Sequence, residues 1–253
     1  MHKLLLSVFL IASHYSMAQA DNEIQVYASP TIQNKWTIFE LHSNYTFHGS
    51  KLLSDPKSAH WTNETLEITH GFGKNFELGF YTFTGFAPNG GGYQYLGNQI
   101  RPRVTVPQEW KWSVGASLSV EFGFFRPDDT SSFYWQGEVR PIIDKTINNW
   151  YFAFNPNIDF RVSGDNKGAG IAPQFKTVYT IKQKFGFGLE YYGSLGSFSE
   201  ILPSHLQEHL LGPMIDLYFD PMWEVNGGFL FGLTENSNQR IFKLLLGRRI
   251  GKR

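Results

Sequence analysis

Residues 112–125 read WSVGASLSVEFGFF and alternate two kinds of side chain with a period of two residues. From Val114 to Phe124 every second residue is apolar, whereas the residues between them, from Ser113 to Gly123, are small or acidic. A period of two is typical of a β-strand whose faces meet different surroundings. The small, polar face cannot form a protein core, so the apolar face must be covered by lipid or by a second sheet.

The same alternation continues along most of the chain, and helical periodicity is nearly absent. Short turns, such as 73–75 and 220–222, alternate along the chain with longer loops, such as 48–62. Short turns at one end and longer loops at the other, with an even number of strands, are typical of outer-membrane barrels. We therefore predict an all-β fold, a closed antiparallel up-and-down transmembrane β-barrel of about 12 strands. A soluble β-sandwich is the alternative with the same alternation.

The alternation and the turn residues that interrupt it delimit the predicted strands. These strands are 36–47, 63–72, 76–87, 93–106, 111–125, 133–144, 150–162, 170–182, 185–194, 208–219, 223–234 and 239–250.

The composition excludes several classes of protein. The chain has 253 residues, with 22 Lys and Arg against 22 Asp and Glu, no cysteine, and 17% aromatic residues. Zero net charge argues against a nucleic-acid partner, which usually requires a basic excess. Without cysteine there is no disulfide framework, thiolate metal site or cysteine nucleophile. Few charges and many aromatics make the chain too apolar for a disordered protein.

The N-terminus has the layout of a secretory signal peptide. Lys3 precedes an apolar run, and Ala18 and Ala20 form a small-x-small cleavage site. The sequence predicts a cleaved signal peptide over 1–20, a periplasmic N-terminal segment over 21–35, an outer-membrane β-barrel over 36–250 and a short basic tail over 251–253. The expected location is the bacterial outer membrane. The expected partners are outer-membrane lipid and, during biogenesis, the barrel-assembly machinery.

Two features concern the strands themselves. Aromatic residues flank the short turns, where an interfacial girdle belongs; they are Trp36, Phe76, Trp110, Trp112, Trp150, Phe185, Phe219 and Trp223. Five prolines fall inside strands on the apolar parity, namely Pro102, Pro141, Pro156, Pro173 and Pro213. Proline removes a ladder donor and normally occurs at edges or bulges. A closed barrel has no edge, so the sequence predicts local bulges at all five.

If the apolar parity faces lipid, the alternate residues point into the lumen. The charged residues assigned to the lumen are Glu40, Glu67, Glu77, Arg101, Arg103, Glu121, Glu138, Arg140, Asp159, Arg161, Lys176, Glu190, Asp216, Glu224 and Lys243. Charges of both signs in a narrow interior should pair, because an unpaired buried charge is very costly. Two interpretations stay open: a salt-bridge plug that fills the barrel, and a narrow, mixed-charge path for a solute.

The sequence does not favour an enzyme. Phosphate-binding, zinc-protease and hydrolase-elbow motifs are absent, and we predict no catalytic residue, cofactor or metal. One alternative is a hydrolase on the lipid face that uses Ser43 and His70, which share the outward parity on adjacent strands. His205 and His209 are four residues apart and would bind a metal only if their loop were helical.

Five segments carry a resemblance to a known family: 138–144 (EVRPIID), 150–159 (WYFAFNPNID), 188–196 (GLEYYGSLG), 223–228 (WEVNGG) and 246–250 (LGRRI). Their order and spacing resemble the outer-membrane barrel family named for transporters of the meta-pathway of phenol degradation. The resemblance implies a barrel that admits small aromatic or hydrophobic compounds. One departure is the C-terminus, which ends in Ile-Gly-Lys-Arg rather than on an aromatic residue.

These observations predict a narrow passive channel or uptake protein for small molecules. The alternative is a structural or adhesive barrel, plugged by its own salt bridges, that carries out no transport.

Overall fold

The computed structural model describes residues 23–52, 59–87, 91–128, 131–164 and 167–251. The predicted signal peptide and the last two residues lie outside this part. The strands are β1 Trp36–His48, β2 Trp61–Phe72, β3 Phe76–Ala87, β4 Gly92–Thr105, β5 Gly115–Phe125, β6 Tyr134–Ile147, β7 Trp150–Arg161, β8 Gly168–Ile181, β9 Phe185–Ser194, β10 Glu208–Leu217, β11 Trp223–Gly232 and β12 Arg240–Gly251. Each strand pairs with its neighbours in sequence, and β1 pairs with β12, so the sheet is a closed antiparallel barrel.

The alternation in sequence determines which side of the wall each residue faces. In β5, for example, Leu118 is 43% exposed and the next residue, Ser119, is fully buried. The exposed apolar side chains therefore cover the outer surface, and the polar ones point into the lumen. This arrangement is that of a transmembrane barrel and excludes the soluble sandwich, which would bury its apolar faces.

The short connections lie at one end of the barrel and the longer ones at the other. The connection before β5 is longer than predicted, because β5 begins at Gly115 and a 3-10 turn spans Gln108–Trp110. Trp110 and Trp112 contact each other there, with ring centroids 6.1 Å apart, and both are exposed at the rim. No helix in the described part of the chain is long and apolar enough to cross a bilayer.

The five strand prolines differ from the prediction. On one side of Pro102, Pro141, Pro156 and Pro213 the ladder loses pairs, yet the register is the same before and after the interruption. The bulges predicted at these four residues are therefore wrong. In an antiparallel sheet a residue directs its N–H and C=O to a single neighbouring strand, so a proline removes bonds on one side only. Beside Pro173 the register does shift, because Gln174 is opposite Tyr192 and Gly170 is opposite Ser197.

The largest interruption lies between β6 and β7, where Pro141 and Pro156 fall between the pairs Val139–Ile158 and Ile143–Phe154. We expect the double substitution Pro141→Val/Pro156→Val to stabilise the barrel by about 1–3 kcal/mol, because two restored hydrogen bonds contribute roughly 0.5–1.5 kcal/mol each. The measurement is chemical unfolding from detergent micelles. Pro203→Val, in a long loop, is the control and should give no gain; an equal gain in both variants would contradict this explanation.

Candidate functional site: the barrel lumen

The charged residues assigned to the lumen by the alternation all lie on the inward parity. Those buried in the interior are Glu40, Glu67, Glu77, Arg101, Arg103, Glu121, Glu138, Arg140, Glu190, Asp216 and Lys243. Those half-buried are Asp159, Arg161, Lys176 and Glu224. The structure brings most of them together in three ion-pair clusters. Arg161 lies near the long-loop end over the Tyr134 ring, and Glu224 pairs with Arg249 at the short-turn end.

The first cluster joins β2, β3 and β4. Arg101 pairs with Glu67 through one terminal nitrogen, and its other terminal nitrogen, Nη1, donates to Glu77 Oε1 at 2.8 Å. Arg103 Nη2 lies 2.7 Å from the same Glu77 oxygen. His42 Nε2 lies 3.5 Å from Glu67 Oε2. Each carboxylate thus has at least one cationic partner, which offsets the cost of burying it.

The second cluster lies on β5, β6 and β7. Arg140 pairs with Glu138, and its Nη2 lies 3.8 Å from Glu121 Oε1. Asn157 Nδ2 donates to Glu138 Oε2 at 3.1 Å. Asp159 is directly opposite Glu138 in the β6–β7 pair. Carboxylates therefore outnumber the single guanidinium in this part of the lumen.

The third cluster lies on β8, β9, β10 and β12. Glu190 is held between Lys243, with Nζ 2.7 Å from Oε2, and Lys176, with Nζ 3.0 Å from Oε1. Lys176 Nζ also donates to Asp216 Oδ1 at 2.9 Å. Asn226 Nδ2 donates to the same Asp216 oxygen at 2.8 Å. The ion pairs on opposite sides of the lumen thus form separate groups.

The lumen also contains a part of the chain that the sequence places elsewhere. Residues 23–35, here called the inserted segment, were predicted to lie in the periplasm. Instead, Glu23, Ile24, Val26, Tyr27 and Ser29 are buried inside the barrel. The segment is continuous with β1 at the short-turn end, where Lys35 N donates to Gly71 O at 2.9 Å. The predicted periplasmic placement of this segment is wrong, because polar and apolar side chains of the wall bind it inside the lumen.

The segment is held mainly through its backbone. Tyr27 N donates to Asn155 Oδ1 at 2.7 Å, and Asn155 Nδ2 donates back to Tyr27 O at 3.1 Å. Ser29 N and Oγ donate to the two oxygens of Asp144, at 2.6 and 2.8 Å. Arg103 donates to the carbonyls of Ala28 and Pro30, each at 2.9 Å. Inward polar and charged side chains of the wall thus replace the strand partners that an extended segment would otherwise need.

Further along the segment, Ile32 N donates to Glu77 Oε2 at 2.6 Å. At its inner end, Ile24 and Val26 pack into an apolar cluster. The wall residues of that cluster are Ala153, Tyr192, Leu210, Met214, Leu230 and Ile241. A second apolar cluster, at the long-loop end of β2 to β5, consists of Trp61, Tyr81, Phe83, Leu96 and Phe125. The wall side chains and the inserted segment therefore fill the lumen together, and the inner end of the segment reaches wall residues near the long-loop ends of β10 and β12.

The Tyr27 side chain lies at the centre of this arrangement. The guanidinium carbons of Arg101, Arg103 and Arg140 lie 4.9, 5.4 and 4.4 Å from its ring centroid, within the range of cation–π attraction. Its hydroxyl is 2.8 Å from the Tyr81 hydroxyl and 3.2 Å from Glu67 Oε2, and it also donates to Glu23. Burial, followed by the nearby carboxylates of Glu23 and Glu67, raises the pKa of the Tyr27 hydroxyl, so the group remains a donor.

Two cavities flank the inserted segment at the short-turn end. The larger has a volume of about 620 Å³ and is lined by segment residues on one side and by Glu40, Arg101, Arg103 and Arg249 on the other. The smaller, of about 300 Å³, is bordered by Tyr151, Lys176, Glu190 and Asp216. Both are large enough to hold water. The inserted segment thus leaves free space between itself and the wall at the short-turn end.

The structure forms neither the lipid-face hydrolase pair nor the histidine metal site that the sequence left as alternatives. Ser43 is opposite Glu64 and donates to its Oε2 at 2.6 Å, whereas His70 is opposite Thr37 and contacts its Oγ1 at 2.8 Å. The two residues of the candidate hydrolase pair are therefore separated along the same strand pair. His209 contacts Tyr191 and Gln207 through its two ring nitrogens, and no metal-binding group of His, Asp and Glu occurs among the described residues.

The sequence analysis found the wall residues but missed the inserted segment. Asp144 and Asn155, which hold its backbone, have inward parity on β6 and β7 and could have been assigned to the lumen. The available signal in the segment itself was the alternating run Ile24-Gln25-Val26-Tyr27, which is too apolar for a solvent-exposed connection. It was too short to be predicted as a spanning strand, because a crossing needs roughly 9–11 residues.

A closed barrel with an apolar outer surface and a charged lumen defines an outer-membrane β-barrel protein. Within that class the chain belongs to the family described as Putative MetA-pathway of phenol degradation, which matches residues 105–247. A search of the curated proteins finds no significant match.

Solved structures show the same fold at low sequence identity. A COG4313 outer membrane channel from Pseudomonas putida F1 superimposes with a TM-score of 0.64 at 10% identity, over 90% of this chain and 100% of that one. The NanC porin gives a TM-score of 0.52 at 11% identity, over 85% of this chain and 100% of that one. The KdgM porin in complex with disordered oligogalacturonate gives 0.53 at 12% identity, over 83% and 98%.

Proposed function

We propose that the protein is a narrow outer-membrane channel for small solutes, and that the inserted segment closes it from the periplasmic side. The observation that supports this proposal is the way the segment is bound. In the described part of the chain it contacts the wall through side-chain partners and a single isolated bridge, Asn34–Gly71, rather than as a strand of the sheet. Its release would therefore leave the twelve-stranded wall intact.

The solute class that we propose is small aromatic or hydrophobic compounds. Its support is the description of the family, which refers to phenol degradation. A role in the uptake of such compounds, and assembly by the barrel-assembly machinery, stay predictions.

A reversible lock tests the closure. Because Ser29 Oγ lies 2.8 Å from Asp144 Oδ1 and the chain has no cysteine, Ser29→Cys/Asp144→Cys places one thiol pair between the segment and the wall. We expect the oxidised double variant to stay closed in planar bilayers and to conduct after reduction. The single variant Ser29→Cys should be insensitive to the reductant.

Equal currents from the oxidised and reduced double variant would show that the segment does not close the lumen. The absence of current in every variant, including one without the segment, would favour the plugged structural barrel instead.

We expect the closure to depend on pH through Glu23. Burial, the largest effect, raises the pKa of this carboxyl above its ordinary value of 4.5, against the opposing charges of Arg140 and His42. The inserted state therefore favours protonated Glu23: its stabilisation is full at low pH and is lost as the pH rises through the raised pKa. The time-averaged current should rise with pH in the wild type and change less in Glu23→Gln. A rise of the same size in Glu23→Gln would show that Glu23 is not the group responsible.

A further inference from the structure

The Tyr27 side chain is held by the wall as a bound small molecule would be. Arg101, Arg103 and Arg140 lie around its ring at 4.4–5.4 Å from the centroid. Beyond the ring, Tyr81 and Glu67 meet the hydroxyl. These five wall residues, here called the Tyr27 cradle, are all buried, and they come from four strands of the barrel, β2, β3, β4 and β6.

The cradle does not depend on Tyr27 for its geometry. Arg101 and Arg103 are fixed by Glu77, at 2.8 and 2.7 Å, and Arg101 also pairs with Glu67. Arg140 is fixed by Glu138. The Tyr27 hydroxyl also has Glu23 as a partner, but Glu23 belongs to the inserted segment and would leave the lumen together with Tyr27. The departure of Tyr27 would therefore leave a preformed site with three cations around an aromatic slot and a carboxylate at its end.

We propose that the Tyr27 cradle is a binding site for a phenolic solute, and that Tyr27 is its intramolecular occupant, which a phenol displaces. This inference rests on the proposed function and names the solute class of the same lumen. A guanidinium favours the face of an aromatic ring. A neutral phenol carries one hydroxyl hydrogen, which it can donate to Glu67.

The chemistry of the cradle also excludes other classes. A saturated alcohol has no aromatic face for Arg101, Arg103 and Arg140. A hydrocarbon such as toluene has no hydroxyl group for Tyr81 and Glu67 to contact. An aromatic carboxylate bound in the same orientation would place its negative charge against Glu67, where like charges repel. An organic cation would be repelled by the three arginines.

The test uses 4-methylphenol, which is the tyrosine side chain without its backbone, and the full chain carrying Tyr27→Ala. Binding is measured in detergent by calorimetry, with toluene, 4-methylcyclohexanol and 4-methylbenzoate as comparison ligands. We expect 4-methylphenol to bind at least about tenfold more tightly than each of them, because only it satisfies both the ring and the hydroxyl partners. Tyr151→Ala is the matched control: it empties an inward tyrosine site whose hydroxyl donates to Asp144, and it should show no such preference.

A second measurement uses the wild-type chain. We expect 4-methylphenol to raise the time-averaged current in planar bilayers, and 4-methylbenzoate not to raise it. If Tyr27→Ala does not fold, the binding comparison is made in the chain lacking residues 23–33. The proposal is overturned if the emptied site does not bind 4-methylphenol, or binds all four ligands equally. Because binding is measured without current, and the thiol lock without a ligand, failure of this inference and failure of the channel are distinguishable.

Discussion

Deletion of residues 23–33 is expected to raise the time-averaged current through the barrel by at least about tenfold, because a closed state favoured by roughly 1.4 kcal/mol is tenfold more populated than the open one. The contacts of the inserted segment are sufficient for such a preference. Ser29 and Ile32 donate backbone hydrogen bonds to Asp144 and Glu77, and Arg103 donates to two carbonyls. Hydrogen bonds to charged groups contribute about 1.5–3 kcal/mol each before the cost of ordering the segment.

The deletion removes chain from the lumen but no strand from the wall. A chain in which residues 23–33 are replaced by glycine and serine is the matched control. It keeps the length of the segment but loses Tyr27 and the apolar residues Ile24 and Val26, so we expect it to conduct as the deletion does. Heat-modifiable migration in detergent gels checks that both barrels are folded. If the folded deletion variant carries no more current than the wild type, the segment is not what closes the lumen.

Substitution of Arg101 by methionine is expected to destabilise the barrel by about 3–5 kcal/mol, which is the cost of removing one partner of a buried ion pair. Arg101 is 1% exposed, and its partners Glu67 and Glu77 are fully buried. Glu77 keeps Arg103, whereas Glu67 is left with His42 at 3.5 Å. The expected loss therefore comes mainly from Glu67. It is measured as the free energy of unfolding in denaturant from detergent micelles.

Arg248→Met is the matched control for that substitution. The Arg248 side chain is 43% exposed and lies 3.9 Å from Asp220, a geometry that contributes at most about 1 kcal/mol. Addition of Glu67→Gln to Arg101→Met removes the unpaired charge, and we expect it to recover part of the stability. A loss for Arg101→Met no larger than that for Arg248→Met would contradict the view that the first cluster stabilises the wall.

The strands of the barrel wall could be predicted because the sequence pattern that indicates each strand lies within the strand itself. An apolar residue at every second position, as in 112–125, indicates both the strand and the face that meets lipid, and turn residues mark where each strand ends. For the same reason Glu67, Arg101 and Lys243 could be assigned to the lumen without knowledge of their partners. The effect of the strand prolines was predicted less well, because a proline in a closed sheet can have more than one structural outcome. A proline in a closed sheet either shifts the register, as beside Pro173, or only interrupts one ladder, as at Pro141.

The sequence by itself determined the strands, their inward and outward faces, the class of barrel and the family to which the chain belongs. The tertiary structure alone decided which charges pair and what fills the lumen. The alternating run within residues 23–35 is too short to indicate a spanning strand. The place of these residues is set by partners more than one hundred residues away, such as Asn155 for Tyr27 and Asp144 for Ser29. Contacts of that separation leave no periodic signal in the sequence, because each depends on the curvature and register of the closed sheet around it.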